Sequence, residues 1–140
     1  ETRAYITRMK AKMKQPGISE NGRIGHKELV QEMYKSGVWA YPCDFPEISC
    51  ITAMKTQVCG CIPVTSCFAA LDETVKVGVK VPGEVNKEWF QEKYLPELIK
   101  VLKNGYPMGS LDTMFSWSGV ARQWVKEAKK NLEVLLTAAA

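Results

Sequence analysis

The residues with the most chemical potential stand together in the run Pro42-Cys-Asp-Phe-Pro-Glu47-Ile-Ser-Cys50-Ile51. The N–H groups of a helix's first turn have no intrahelical partner and carry the positive end of the helix dipole. A helix opening here would aim the amides of Ile48, Ser49, Cys50 and Ile51 outward, as a receptor for an anion such as a diphosphate. Glu47 stands at the mouth. An ionised carboxylate only accepts hydrogen bonds, so it suits the hydroxyls of a sugar. Glu47 could equally do what an acidic first-turn residue ordinarily does, which is to complement the helix dipole.

The cysteines offer less. Cys43, Cys50, Cys59, Cys61 and Cys67 are odd in number, contain no C-x-x-C pair, and have only His26 as an imidazole companion. Buried thiols in a reducing compartment, hence the cytosol, account for them more simply than zinc or a disulfide framework. The net charge of +4 is mild, but Arg3, Arg8, Lys10, Lys12 and Lys14 crowd the start against Glu1 alone. A basic helix of this kind could touch an anionic lipid surface, or be a solvated face. No aromatic platform interleaves with these lysines, which argues against nucleic acid. No apolar run reaches the roughly 20 residues of a membrane span, and the first residues carry no apolar leader region.

The elements that must position the Glu47 loop follow from periodicity. Tyr5, Ile6, Met9 and Met13 mark an amphipathic helix over residues 3–15, stopped by Pro16-Gly17. A turn at 22–25 leads into a second helix from His26 carrying Leu29, Val30, Met33 and Tyr34, with Gly37 past its end. Val38-Trp-Ala-Tyr41 reads as a buried strand, and 42–46 as a loop. Ile48, Ile51, Met54 and Val58 recur at helical spacing up to Gly60. Cys61-Ile-Pro-Val-Thr65 is the next strand, with Pro63 arguing against a central place in the sheet.

One helical turn at 73–75 and a strand over 76–81 follow. Trp89, Phe90, Tyr94, Leu98, Val101 and Leu102 trace a helix with an interruption at Pro96, and Trp117, Val120, Trp124, Ala128, Leu132 and Leu135 line a long last one. Alternating helices and short apolar strands predict an α/β domain with a parallel sheet of about four strands. Ligands of such sheets bind beyond the carboxyl ends of the strands, where the loop 42–47 falls.

The ordered set of segments resembles the C-terminal domain of glycosyltransferase family 4 (group 1), enzymes built of two Rossmann-like domains in the GT-B architecture. Gly22-Arg-Ile-Gly-His-Lys-Glu-Leu is similar to the family's turn before the helix preceding the donor site. Val38-Trp-Ala-Tyr-Pro with Phe45-Pro-Glu47 resembles its strand, proline, loop and glutamate. Ala53-Met54 through Gly60-Cys-Ile-Pro-Val-Thr65 resembles its next helix and strand, and Phe68-Ala-Ala-Leu-Asp-Glu73-Thr-Val the loop after them. Phe115-Ser-Trp117 and the last helix are of the family's type, so the resemblance runs over residues 15–135.

It implies a retaining transfer of a sugar from a nucleotide diphosphate sugar to an acceptor hydroxyl, with no metal or other cofactor. Glu47 would hold the transferred sugar, the amides of Ser49, Cys50 and Ile51 would face the phosphates, and Glu73 would lie in the loop beyond. Where the family places a second glutamate for the ribose, this sequence has Lys55. A lysine cannot accept from a ribose diol, so at this ribose position it either reaches phosphate instead or the ribose contact is lost.

The family's first strand, its glycine turn and its basic pair are not recognisable before residue 15, and the N-terminal acceptor domain is missing. The expectation is therefore one partial donor-binding domain over 1–140, lacking its first βα unit. A C-terminal helical segment at about 111–140 would pack on it. Such a chain would be inactive alone, inclined to self-associate through exposed apolar surface, and at most peripheral to a membrane. A non-catalytic α/β module that binds a sugar or nucleotide is the alternative.

Overall fold

Three short strands run parallel in the order β1-β2-β3: β1 (Val38–Tyr41), β2 (Ile62–Ser66) and β3 (Val79–Val81). The computed structural model describes residues 2–109 and 115–138, Leu135 and Ala138 by backbone alone. Its helices are α1 (Thr2–Met13), α2 (His26–Lys35), α3 (Ile51–Val58), α4 (Ala70–Thr74), α5 (Glu88–Asn104) and α6 (Trp117–Ala138). The chain is thus α/β, a parallel sheet flanked by helices and compatible with a Rossmann-like fold. Three strands stand where about four were expected, among the described residues.

Parallel strands need both faces covered, because each β–α–β crossover lays a helix on the sheet. On one face Val64 and Val81 pack with Phe90, Tyr94 and Val101 of α5. On the other, Cys50, Ala53, Leu71 and Val75 from α3, α4 and their flanks pack against Trp39, Tyr41 and Cys43. The period-two alternation of the strands divides the faces: Val38 and Val64 point one way, Trp39 and Tyr41 the other.

Two prolines behave differently from expectation. Pro63 lies in the central strand. The N–H of Ile62 donates to Gly37 at 3.0 Å, so by parallel alternation the hydrogen Pro63 lacks would have faced β3. That ladder starts one residue later, at Val64 opposite Val79, and no bond is lost. Beside it, Gly78 has φ +128° and comes so close to the Pro63 carbonyl that a Cβ would clash. Pro96 does not interrupt α5, which is continuous from Glu88 to Asn104. The proline lies on the exposed side, where water can reach the carbonyl it leaves unbonded, while Tyr94 and Val101 hold the helix to the sheet.

The polar centre of the fold is Gln57, 1% exposed. Its Nε2 donates to the carbonyls of Ala53 (2.7 Å) and Thr74 (3.1 Å), and its Oε1 accepts from the N–H groups of Lys76 (2.8 Å) and Val77 (3.0 Å). One carboxamide therefore joins α3, the end of α4 and the approach to β3. On the opposite face the Tyr94 hydroxyl donates to the Val64 carbonyl at 2.7 Å.

The terminal helices are less embedded. α1 has no buried residue. Past the buried Gly119 and half-buried Val120, α6 exposes Trp124, Val125, Leu132 and Val134. Of the segment expected at 111–140, residues 111–114 and 139–140 lie outside the described residues, as does the side chain of Leu135. No described helix is long and apolar enough to cross a membrane.

Two outcomes follow from this core. Gln57→Ala removes a buried amide with four partners and lowers unfolding stability by about 2–3 kcal/mol, read as a lower urea midpoint at unchanged slope. Burial pushes the Tyr94 phenol up to about 12, so the folded state holds a proton the unfolded chain releases near pH 10. Tyr94 therefore lends full stability below pH 10 and loses it as pH rises towards 12. Tyr94→Phe flattens that alkaline decline in urea titrations, at a cost of about 1 kcal/mol at pH 7 from the lost hydrogen bond.

Candidate functional site

The carboxyl ends of the three strands open on a shared edge, and the loop after β1 lies along it. Its key side chain is Glu47, half-buried, whose Oε1 accepts from the Tyr41 hydroxyl at 3.0 Å. Tyr41 is the last residue of β1 and stacks on Trp39, with ring centroids 4.7 Å apart. The phenol is therefore fixed by the strand, and Glu47 by the phenol, through Oε1. Hydrogen bonding with Cys43, then burial, then the bond to Glu47 push the Tyr41 phenol far above its ordinary range. It remains a neutral donor.

The backbone of the loop is fixed from α4. The Ala70 N–H donates to the Glu47 carbonyl at 3.2 Å, and the Thr74 hydroxyl to the Ser49 carbonyl at 2.9 Å. From β2, Ser66 accepts the Cys43 N–H at 3.2 Å and returns its own hydrogen to the Cys43 carbonyl. Two non-glycine residues with positive φ, Cys50 (45°) and Ala69 (49°), lie at the two ends of this bracing. Strained backbone of this kind costs about 1–3 kcal/mol per residue and tends to cluster at functional sites.

Cys50 also corrects the expected helix start. The helix was to open after Glu47 and present the amides of Ile48, Ser49, Cys50 and Ile51; α3 begins at Ile51, with Cys50 left-handed (φ 45°, ψ 68°) as its N-cap. A left-handed residue cannot sit inside a right-handed helix, so Ile48 and Ser49 belong to the loop. Ile48, which fits the helical spacing, is 96% exposed. A left-handed residue followed by a right-handed one curls successive amides into a concave nest for an anion. The amides that this helix start orients are thus those of Cys50, Ile51 and the following Thr52, not those of Ile48 and Ser49.

Next to this loop a cleft of about 240 Å³ is lined by Asp44, Phe68, Gly83, Glu84, Val85 and Asn86, drawn from the ends of all three strands. At the end of β3, Lys80 binds the Asp72 carboxylate at 2.8 Å, and the Cys67 thiol donates to the same oxygen at 3.2 Å. The Lys80 ammonium, and after it the Cys67 thiol, hold the Asp72 carboxyl below its usual range. Among the described residues no group of three or more His, Cys, Asp or Glu is placed to hold a metal ion.

Lys55 stands apart from this edge. It lines a separate apolar groove of about 380 Å³ between α2 and α3, with Val30, Tyr34, Met54 and Phe115. Its Nζ lies 3.4 Å from His26 Nδ1. The groove that holds Lys55 is therefore not the one at the strand ends; its walls are almost wholly apolar, whereas Asp44, Glu84 and Asn86 line the smaller cleft. Glu73 is an exposed residue of α4, beside the Asp72 that pairs with Lys80. Sequence reading missed Tyr41, Ser66, Asp72 and Lys80 as site residues. Their contacts span turns and strands, and only strand register brings them together.

Comparison with protein-family models, curated proteins and solved structures finds no match to this chain.

The Asp72–Lys80 pair is directly testable. In a carbon-detected NMR titration the Asp72 carboxyl has its midpoint below that of an ordinary exposed aspartate, and Lys80→Met moves it upward. An unmoved midpoint would show that the pair does not persist in solution.

Proposed function

We propose that the chain carries the nucleotide-sugar-binding part of a two-domain GT-B glycosyltransferase that retains anomeric configuration, with Glu47 holding the transferred sugar. The observation that carries this reading is the fixed Glu47 carboxylate at the carboxyl edge of a parallel sheet, immediately before a left-handed cap that opens a helix. A carboxylate with one oxygen satisfied by Tyr41 keeps the other for a sugar hydroxyl. The nest at Cys50, Ile51 and Thr52 offers amides to a diphosphate.

In this reading the leaving diphosphate gathers charge as the glycosidic bond breaks, and amides already oriented by the fold stabilise that charge without reorganising. Bracing of Glu47 and Ser49 from α4 keeps the sugar-holding and phosphate-holding groups in register, which is what positioning contributes to a transfer reaction. Glu73 lies on α4, outside the Glu47 loop, and takes no part in holding the ligand. An acceptor would be supplied by a separate domain.

A second reading, a non-catalytic module that binds a nucleotide sugar, draws on Lys55. That residue lies in the α2–α3 groove with His26, so the described edge offers no ribose acceptor at the family's second glutamate position.

Calorimetry of the chain against UDP, GDP, ADP and their sugar conjugates tests the proposal, with Glu47→Ala alongside. One nucleotide sugar binds, and Glu47→Ala weakens it about 10- to 100-fold, the loss of one or two charge-assisted hydrogen bonds. The same substitution leaves binding of the sugar-free nucleotide unchanged, because Glu47 meets only the sugar. Absence of binding across the panel, or equal loss for nucleotide and conjugate, would sink the assignment of Glu47. Binding without turnover in the presence of a complete acceptor domain would favour the second reading.

A further inference from the structure

From Ala121 to Thr137 every described side chain of α6 is exposed. The helix is nevertheless amphipathic. At 3.6 residues per turn Trp117, Ala121, Trp124, Ala128 and Leu132 fall in one stripe, with Val125 and Leu136 along its border. An apolar stripe of this width ordinarily faces a core, yet Trp117 is 88% exposed and Trp124 73%. A continuous exposed apolar surface of this kind marks a place where another surface docks.

Charge narrows the partner. The other side of α6 carries Arg122, Lys126, Lys129 and Lys130 against Glu127 and Glu133. Arg122 and Lys129 border the stripe beside Val125 and Leu136, where a long side chain can lie along apolar surface and still hold its charge at a polar boundary. Tryptophan has the matching property, an apolar ring with one N–H donor. α1 adds Arg3, Arg8, Lys10 and Lys12 without an acid. α1 thus contributes four positive charges and α6 a net two, against +4 for the whole chain, so the rest of the molecule is net acidic. An anionic surface attracts these two helices and repels the body that carries the strand-end cleft.

We propose that α6 lies flat on an anionic phospholipid bilayer, with its tryptophan stripe at the boundary between headgroups and acyl chains and its bordering cations against the phosphates. An interfacial helix combines a distinct apolar stripe, a lysine-rich polar face and low overall hydrophobicity, and α6 has all three. It lies along the bilayer, since no described helix is long and apolar enough to cross it. A second copy of the chain would bring one basic helix against another, and like charges at close range oppose that pairing. The placement of α6 is independent of what the Glu47 loop binds.

Flotation of the full chain with lipid vesicles tests this, using phosphatidylglycerol and phosphatidylcholine in equal parts, or phosphatidylcholine alone. The chain floats with the mixed vesicles. Partitioning falls about tenfold or more on phosphatidylcholine alone, and it also falls as salt is raised. Arg122→Gln and Lys129→Gln each weaken it about fivefold. Trp117→Ser combined with Trp124→Ser weakens it about tenfold or more, while the urea midpoint stays unchanged because both rings are exposed. Equal partitioning onto both vesicles would overturn the proposal. So would a loss confined to neutralising substitutions in α1, with the tryptophan pair without effect. Absence of flotation would overturn it as well, and a dimer in sedimentation that the tryptophan substitutions disperse would then assign the stripe to a second copy.

Discussion

Positioning at the carboxyl edge depends on the Gln57 carboxamide. It is buried in α3, yet none of its four hydrogen bonds reaches the edge itself. It ties α3 to the last residue of α4 and to the two amides that lead into β3. α4 in turn supplies the Ala70 N–H and Thr74 hydroxyl that hold the Glu47 and Ser49 carbonyls. A five-residue helix has little stability of its own, because the nucleus of a helix is costly and most of its stability comes from packing. α4 is therefore a brace only while Gln57 and the buried Leu71 hold it.

The brace explains why the loop can keep an unfavourable backbone. Cys50 and Ala69 adopt positive φ at opposite ends of the contact between loop and α4. Neither residue has a side chain that favours this region, as asparagine or glycine would. The Glu47–Ala70 and Ser49–Thr74 bonds lock the two together, so relaxing one turn would break bonds to the other. The local cost is spread over contacts that the core stabilises, and the result is a fixed direction for the amides at the start of α3.

Much of the fold was legible because its signals are local. The spacing of Leu29, Val30, Met33 and Tyr34 marked α2 between Gly25 and Ser36. The strand formers of 38–41 and 61–65 located β1 and β2 to within one residue. The failures have a common physical form: a local rule was overridden by a partner distant in sequence. Ile48 fits the α3 period but is almost wholly exposed, because Cys50 turns left-handed and the Ser49 carbonyl is bound to α4. Pro63 reads as an edge proline but sits in the centre, because β3 begins one residue further on. Glu47 was legible as a candidate, yet its partner was not: a tyrosine six residues earlier carries no periodic signal, and only a loop that turns back over its own strand makes the contact.

The charges at the edge impose a division of labour on any nucleotide sugar bound there. Asp44 and Glu84 line the cleft and Glu47 stands in the loop along the same edge, while the Lys80 ammonium is engaged by Asp72. Carboxylates repel a diphosphate, so the acidic cleft is a poor seat for phosphate and a good one for neutral hydroxyls. The phosphates would then have to lie on the α3 side, where Cys50, Ile51 and Thr52 present amides and the positive end of the helix dipole. In the proposed reading, a ligand that is anionic at one end and a polyol at the other would satisfy both halves, whereas a free polyphosphate would meet only the amides and a plain sugar only the carboxylates. In the nucleotide-sugar reading, the boundary between the two regions falls at Ser49, the residue whose carbonyl is bound to Thr74, so the bond to be broken would lie over a part of the loop braced from α4.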